Sequence, residues 1–475
     1  MATDLQNETS KTSLHGTALR DDPRVSEAKR LLREAVADHG ASLDRVNPPD
    51  ESFAEEYQAM LDRFATVRGG PTFWPYLSAG VGNGPYVELA DGSVKLDFIG
   101  GIGVHGAGHN HPSMIDAAVD AAIDDTVMQG NLQQNPPSLW MNEKLIQMAC
   151  QDGAAIEHCL LSTSGAMANE NALKIAMHHQ SIKHSGACDR VIAFDNAFAG
   201  RTLALAALTD RPKYRMGLPL TINVDYLPFL DPDQTNRSTR WAVDELKRLL
   251  GRHPGKYAAF WAEPIIGEGG YYPGSHEFFG KLCEILRQHD VPIIFDEVQS
   301  FGRTSKPFAF QHYGLDQYAD IVTVGKITQV CATLYSAEFN PTGPILSQTF
   351  TGSSSMISCG AKILELMDER GCFGEDGSNM QLHHYFAKRL ADLADRYPGK
   401  LGGPFGEGMM IAFTPGDGSL ETAKAWMDRM YNDGLLGFVC GADPVRMRFL
   451  PPPVITTTDH IDEAIRLLEG VIHRV

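Results

Sequence analysis

The chain has 475 residues, of which 43% are hydrophobic, 21% charged and 9% aromatic, and this composition is typical of a globular protein with a large core. Its net charge of −18, from 41 basic and 59 acidic residues, argues against nucleic acid or an anionic membrane as the main partner. No apolar stretch is long enough to span a bilayer and the eight cysteines form no CxxC pair, so we expect a cytoplasmic protein with reduced thiols.

The segment 1–80 is an N-terminal extension in which helices are expected. An amphipathic pattern over 24–40 begins after Pro23 and stops at Gly40, which predicts a helix with proline in its first turn. A second, shorter helix is expected near 52–64. We therefore assign 1–80 to an extension of helices.

The next segment, 81–112, contains two strand patterns around the Asp91-Gly92 turn and then a glycine-rich passage. The histidines of that passage have no cysteine or carboxylate beside them, so structural, hydrogen-bonded histidines are favoured over a metal site. We expect 81–112 to join 350–475 in a small α+β domain, because the later segment also mixes helices and strands. It closes with a helix for which Asp459 is the predicted cap.

Residues 113–349 alternate helix and strand patterns, which predicts a large α/β domain with a doubly wound, mostly parallel sheet. In this segment the small residues Ser164, Gly165 and Ala166 follow a short strand and open a helix. Free backbone amides and the helix dipole at such a point suit a phosphate group. Taken alone, the turn is equally consistent with a tight turn that binds nothing.

Two short apolar runs, 291–295 and 319–324, are typical of buried parallel strands, and each is followed by a charged residue. Asp296 and Lys326 should therefore lie in one crevice at the carboxyl edge of the sheet. Burying both charges is costly unless they are used. Pyridoxal phosphate (PLP) uses both, because its aldehyde needs a lysine amine and its ring nitrogen needs a carboxylate. The alternative is a solvated lysine and a helix-capping aspartate.

Three further residues follow strands and are candidates for the same crevice. Phe198 could stack on a planar ring and Arg201 could bind a carboxylate in two-point fashion, although a core phenylalanine and a surface arginine are the simpler interpretations. Glu263 ends a strand beside a glycine-containing turn and should also face the crevice.

With these residues identified, the chain resembles the class III, or ω-, aminotransferases of PLP fold type I from about Gly84 to its C-terminus. The ordered set of motifs is more specific than any single one. The resemblance implies that the cofactor is held by Ser164, Gly165 and Ala166 at the phosphate, Phe198 on the ring, Glu263 in the pocket, Asp296 at the ring nitrogen, Gln299 at the ring hydroxyl, Lys326 in the Schiff base, and Thr351 from a neighbouring subunit. It therefore also implies a homodimer or larger assembly with a shared active site.

The resemblance extends to the substrates. Glu268 and Arg448 look like the pair in which a glutamate covers an arginine while an ω-amine is bound and leaves it when the acceptor's carboxylate arrives. Arg201 lies where many members hold the donor's far carboxylate. The string Gly325-Lys326-Ile327-Thr328-Gln329-Val330-Cys331 is similar to the lysine 6-aminotransferase branch, whereas Ala199 and the serines at 353–355 depart from the usual family pattern.

The expected activity is transfer of the terminal amine of an ω-amino acid, similar to lysine, ornithine or 4-aminobutyrate, to a 2-oxo acid such as 2-oxoglutarate, which yields a semialdehyde. One alternative is a PLP-dependent aminomutase or epimerase on the same fold. Another is a non-enzymatic regulator with the same fold, although such regulators carry a basic DNA-binding module and the segment 1–80 shows no basic stripe.

Overall fold

The computed structural model describes residues 14–186 and 188–475. The helices are α1 (His15–Arg20), α2 (Pro23–Gly40), α3 (Ala54–Arg68), α4 (Gly100–Gly103), α5 (Pro112–Ile123), α6 (Pro136–Cys150), α7 (Gly165–Lys183), α8 (Leu203–Leu208), α9 (Thr235–Arg252), α10 (His276–Gln288), α11 (Ala309–His312), α12 (Ser354–Arg370), α13 (Ser378–Arg396), α14 (Leu420–Asp433) and α15 (Thr458–Ile472).

The strands are β1 (Ser78–Asn83), β2 (Tyr86–Leu89), β3 (Val94–Asp97), β4 (Met128–Gln129), β5 (Ile156–Ser162), β6 (Arg190–Phe194), β7 (Asn223–Leu227), β8 (Tyr257–Ala262), β9 (Ile265–Ile266), β10 (Tyr272–Pro273), β11 (Ile293–Glu297), β12 (Ile321–Val324), β13 (Cys331–Ser336), β14 (Gly352–Ser353), β15 (Leu401–Glu407), β16 (Met410–Pro415), β17 (Leu435–Leu436), β18 (Phe438–Cys440) and β19 (Arg446–Phe449).

A seven-stranded sheet in the order β5-β13-β12-β11-β8-β6-β7 forms the centre of the molecule. The five strands from β12 to β7 run parallel, while β13 is antiparallel to both of its neighbours. The predicted α/β fold with a mostly parallel sheet is therefore confirmed. The register between β11 and β12 places Asp296 opposite Thr323, so that the segment after β12 begins close to the Asp296 carboxylate.

Helices cover both faces of this sheet. They are needed there because successive side chains of a strand point to opposite faces, and here the side chains on both faces are apolar. On β6, Val191 and Ala193 pack into a cluster with α7, whereas Ile192 and Phe194 pack on the opposite side. That second, larger cluster includes apolar residues of α6, α9 and α10. The strands are thus buried on both faces, and the functional groups emerge at their ends.

Two four-stranded sheets, β1-β2-β3-β17 and β15-β16-β19-β18, lie outside the central sheet. They share a core in which residues 86–98 pack with residues 382–472. The predicted hairpin around the Asp91-Gly92 turn is present as β2 and β3. The division into 1–80, 81–112 with 350–475, and 113–349 stays a prediction, and the first thirteen residues of the extension lie outside the described part.

Two local predictions can be compared with the observed helices. The helix expected over 24–40 is α2, whose first turn contains Pro23 and whose N-cap Asp22 accepts a hydrogen bond from the Arg24 amide at 2.8 Å. The predicted cap of the last helix is wrong, because Thr457 caps α15 and Asp459 lies in its first turn. Among the described helices, none combines the length and the apolar character needed to cross a bilayer.

Candidate active site

A cavity of about 460 Å³ opens at the carboxyl ends of β8, β11 and β12. This is the edge of the sheet at which ligands bind in open α/β proteins. Eight of the residues predicted from the sequence line it: Gly165, Ala166, Phe198, Arg201, Glu263, Asp296, Gln299 and Lys326. The structure therefore brings together, in one concave site, groups that lie far apart in the sequence.

The Asp296 carboxylate is 5% exposed and fully engaged by its neighbours. It accepts hydrogen bonds from Asn169 Nδ2 at 2.7 Å and from the Val298 amide at 2.9 Å, and it shares the proton of Thr323 Oγ1, 3.3 Å away, with the Asn169 oxygen. Burial raises the pKa of Asp296 to about 6, and these hydrogen bonds and the charge of Lys326 oppose that rise. A cationic ring nitrogen placed here would favour the ionised carboxylate further.

Asn169 lines the cavity beside Asp296, and sequence reasoning missed it. Its amide nitrogen also donates to the Ala199 carbonyl at 2.9 Å, and its oxygen accepts from Thr323 Oγ1 at 2.9 Å, so its orientation is fixed. A signal was available, because Asn169 lies one helical turn after Gly165 and must face the same side of α7. It therefore connects the helix that begins at the cavity with the acid at the end of β11.

Lys326 begins the short turn after β12 and adopts a left-handed backbone conformation, with φ of 54°. Burial is the main cause of a lowered pKa at its amine, while the carboxylate of Asp296 acts in the opposite direction. Within the described chain the amine makes no hydrogen bond and no ion pair. A partly buried, unpaired amine with a lowered pKa suits a nucleophile that forms a Schiff base.

The N-terminus of α7 provides a cradle for a phosphate group. Ser164 caps the helix by accepting a hydrogen bond from the Met167 amide at 3.2 Å, and Gly165 and Ala166 line the cavity. A Cβ at Gly165 would lie 2.8 Å from Val298 Cγ1, so only glycine allows the backbone this position. The first-turn amides and the helix dipole favour an anion here.

Glu263 and Phe198 form one wall of the cavity. The Glu263 carboxyl group accepts hydrogen bonds from the Phe198 and Gly267 amides, each at 3.1 Å. Burial, together with the nearby charge of Asp296, raises the pKa of Glu263 to about 8. The Phe198 ring is half-buried and meets Tyr214 edge to face, with the ring centroids 6.2 Å apart.

Glu268 and Arg448 form an ion pair beside the cavity. Arg448 Nη2 donates to Glu268 Oε2 at 2.6 Å, and its Nη1 donates to Gln299 Oε1 at 3.3 Å. The Arg448 side chain is fully buried. Burial acts to lower the pKa of its guanidinium, but the Glu268 carboxylate raises it above the ordinary value. Gln299 connects the pair to the cavity, which it lines.

Two predicted residues lie at the margin of this arrangement. Arg201 is exposed at the cavity wall, where its guanidinium carbon is 3.8 Å from the centroid of the Tyr214 ring. Thr351 does not line the cavity of its own chain. It is buried beside β4, where its amide donates to the Gln129 carbonyl at 2.8 Å. Its contact with a neighbouring subunit's cofactor stays a prediction.

Two histidines of the glycine-rich passage make hydrogen bonds within the protein, and His109 lies beside a carboxylate that the sequence pattern did not reveal. His109 Nε2 lies 3.1 Å from Asp97 Oδ2, and His111 Nδ1 accepts a hydrogen bond from the Ser113 amide at the start of α5. Sequence reasoning missed Gln329, which lines the cavity with φ of 62° and donates to the Val104 carbonyl at 2.7 Å. Its place among residues that follow the lysine was the only signal.

The donor set fits pyridoxal phosphate. An amine for its aldehyde, a buried carboxylate for its ring nitrogen, an aromatic side chain for its ring and a helix N-terminus for its phosphate line the same cavity. A Cβ at Gly165 would contact Val298, so glycine lets the first turn of α7 lie this close to the segment that follows Asp296.

Comparisons with known proteins find relatives in both sequence and structure. The sequence profile described as aminotransferase class-III matches residues 75–472. An acetylornithine aminotransferase from Methanocaldococcus jannaschii is 29% identical over 404 residues, which cover 83% of this chain and 93% of that protein. One from Agrobacterium fabrum is 30% identical, covering 82% and 92%. A solved lysine aminotransferase from M. tuberculosis in the internal aldimine form has a TM-score of 0.76 and 25% identity, covering 86% of this chain and 98% of that one.

Proposed function

Because this chain belongs to the class III aminotransferase family and is a PLP-dependent transaminase, we propose that it moves the terminal amine of an ω-amino acid to 2-oxoglutarate. The product of the donor is then a semialdehyde. The donor is expected to resemble lysine, ornithine or an acylated ornithine, in keeping with the relatives named as lysine and acetylornithine aminotransferases.

The ion pair of Glu268 with Arg448 is the observation that carries the proposal. A buried arginine at this position would bind the carboxylate of any α-amino acid, but here a carboxylate of the protein already occupies it. A terminal amine has no carboxylate on its reacting carbon and therefore leaves the pair closed. The acceptor does carry one, so Glu268, whose side chain is 18% exposed, must give way to it.

Different residues of the cavity have different roles in the proposed reaction. When bound, PLP supplies an aldehyde that condenses with amines and a ring that withdraws electrons from the adjacent carbon. Lys326 Nζ takes the proton from the carbon that bears the donor's amine, because its lowered pKa leaves more of the amine neutral. The Asp296 carboxylate would keep a proton on the ring nitrogen of bound PLP, and Asn169 and Thr323 hold Asp296 in place.

A donor screen on the holoenzyme tests this function. The cofactor's visible absorption is followed without acceptor while lysine, ornithine, acetylornithine, 4-aminobutyrate, β-alanine and a diamine are added in turn. We expect bleaching by long ω-amines and restoration by 2-oxoglutarate. Reaction only at the α-amine of α-amino acids would contradict the proposal, and turnover to a rearranged product without any 2-oxo acid would indicate an aminomutase or epimerase.

We further propose a cytoplasmic homodimer in which Thr351 completes the partner's site. The surface around Thr351 supports this, because Phe350 is 38% exposed, Leu132 97% and Met128 52%, and apolar groups this exposed are typical of an interface. They lie on neighbouring segments, since β14 pairs with β4. All eight cysteines are free thiols in the described chain, as expected in a reducing compartment.

A further inference from the structure

A second cavity, of about 440 Å³, lies beside the turn that carries Glu268. Ile266 and Tyr272, which flank that turn, line the cavity, and so do Arg446 and Asp195. Its volume falls in the range that holds small ligands. None of its lining residues belongs to the lining of the active-site cavity.

Arg446 is fixed within the wall of this cavity. The residue is 5% exposed, and its guanidinium carbon lies 3.5 Å from the ring centroid of Phe405 and 4.3 Å from that of Tyr272. Its Nη1 donates to the Gly270 carbonyl at 2.5 Å. Both ring contacts are cation–π contacts, so the group is held without a counter-ion.

The same arginine has no acidic partner among the described residues. Its Nε is buried and makes no hydrogen bond there, and burial lowers the pKa of the guanidinium. An uncompensated buried charge is costly. Because Nη1 is used by the backbone, two rings lie against the faces of the group and Nε is enclosed, Nη2 is the nitrogen left to donate to a carboxylate oxygen in the cavity.

Asp195 supplies the opposite charge in the same cavity. The residue is exposed, and its carboxylate forms no ion pair and accepts no hydrogen bond within the described chain. Asp231, another lining residue, is by contrast engaged by the Asp233 amide at 3.0 Å and by Gln234. Arg446 and Asp195 thus share a cavity without contacting each other.

We propose that this cavity is a second, non-catalytic binding site for a small zwitterionic amino acid. The ligand's carboxylate accepts a hydrogen bond from Arg446 Nη2, and its ammonium group faces Asp195. The carbon chain between them contacts the apolar wall, to which Trp241 contributes with 64% of its surface exposed. A ligand with only one charge would neutralise only one of the two groups.

Both ends of the proposed site are connected to the turn of Glu268. Arg446 holds the Gly270 carbonyl, and Arg211 donates to the Glu268 carbonyl at 3.1 Å and to Asn196, the neighbour of Asp195, at 3.2 Å. A ligand in the cavity is therefore expected to affect the position of Glu268, which covers Arg448. Binding of that ligand does not depend on which reaction the enzyme catalyses.

The test measures binding while the active site is blocked. Holoenzyme inactivated with aminooxyacetate is titrated calorimetrically with 4-aminobutyrate and 6-aminohexanoate, and separately with butyrate and butylamine. We expect saturable binding of one zwitterion per chain and at least tenfold weaker binding of the two singly charged probes. Absence of saturable zwitterion binding, or equal binding of butyrate, would overturn the proposal whether or not the enzyme proves to be an ω-aminotransferase.

Two variants locate the site. Asp195→Asn, a change at an exposed position, should weaken zwitterion binding at least tenfold and leave butyrate binding unchanged, and Arg446→Gln should abolish both. The exposed control Arg252→Gln, at the far end of α9, should bind as the wild type does. Unchanged zwitterion binding by Asp195→Asn would overturn the assignment even if Arg446→Gln failed to fold.

Discussion

Asn169 holds the carboxylate of Asp296 from the neighbouring helix, through a hydrogen bond of 2.7 Å. A hydrogen bond to a charged group contributes about 1.5–3 kcal/mol. Asn169→Ala should therefore raise the dissociation constant of PLP roughly 10- to 100-fold, since about 1.4 kcal/mol corresponds to a factor of ten. The measurement is fluorescence titration of the apoenzyme with PLP.

Asn171→Ala is the matched control, because Asn171 is buried on the same helix but bonds to Ser162 Oγ at 3.2 Å. It should lower the stability of the fold and leave PLP affinity within about twofold of wild type, since it removes no contact to Asp296. Equal loss of affinity in both variants would show that the helix, and not the contact, matters.

Glu263 should give the apoenzyme a stability that falls as the pH rises. Its pKa is raised from 4.5 to about 8, so across that window the native state holds a proton that the unfolded state has released. The free energy of unfolding then decreases with pH, by at most about 1.4 kcal/mol per pH unit for one proton. Glu263→Gln should flatten this dependence in urea unfolding measured from pH 5 to pH 8.

The exposed substitution Glu284→Gln is the control for that experiment. It should reproduce the wild-type dependence on pH, because it removes an exposed carboxylate that lies outside the lining of the cavity. If Glu263→Gln and wild type show the same slope, Glu263 is ionised in the native protein and the described environment is wrong.

Some site residues could be predicted from the sequence and others could not. Asp296 and Lys326 follow apolar runs at the ends of strands, so their pattern alone predicted a shared crevice, and both line the cavity. Asn169 is a polar residue within a helix of small residues, and its role depends on the sheet register that places Asp296 beside Thr323. That register cannot be read from either segment alone.

At the scale of elements, three ion pairs attach α1 and α2 to α5 and to Asp124, which follows α5. Asp116, Asp120 and Asp124 are spaced by four residues and meet Arg33, Lys29 and Arg20 at 2.5, 2.8 and 2.9 Å. Because these pairs are partly exposed, each contributes about 1 kcal/mol or less. Together they fix how α1 and α2 lie on the protein.

Reversing one of these charges should loosen the extension. Arg33→Glu should increase the rate at which a protease cleaves within 23–40 at low salt, and adding Asp116→Arg should restore the wild-type rate. The difference should shrink at high salt, where exposed charges are screened. Arg30→Glu, which affects only pairs within α2, is the control. A swapped pair that fails to restore resistance would contradict the contact.

The prediction of elements was incomplete at one chain reversal, where a strand was not foreseen, and wrong at one helix start, where another residue is the cap. The segment Cys331–Ser336 was not predicted as a strand, although it completes the sheet as β13 between β5 and β12. It follows a turn in which Lys326 and Gln329 both have positive φ, a conformation that side-chain patterns do not disclose. At α15, Thr457 and His460 cap each other, so Asp459 is left within the helix.

At the scale of the whole molecule, the proposed shared site predicts complementation between inactive subunits. Lys326→Ala removes the reacting amine, and Thr351→Val removes a hydroxyl that we expect to act in the partner's site. A mixed dimer then contains one site with both residues intact. At limiting PLP, co-refolded variants should be more active than either variant alone. Activity no higher than that of Thr351→Val would mean that each chain completes its own site.

The fold class could be predicted from the sequence, but the order and pairing of the strands could not. Strand order and the pairing of β3 with β17 join segments from opposite ends of the chain, so the small sheets became visible only in three dimensions. The family resemblance supplied the roles of Glu268 and Arg448, and the structure supplied their ion pair. The cavity at Arg446 had no signal in the sequence.

Every role proposed for the cavity depends on covalent attachment of PLP at Lys326, and one measurement tests that attachment directly. The purified holoenzyme is reduced with borohydride, digested with trypsin and mapped by mass spectrometry. We predict a single reduced cofactor adduct on the peptide that contains Lys326, and none in Lys326→Ala. An adduct on another lysine, or none on the reduced wild-type protein, would contradict the assignment.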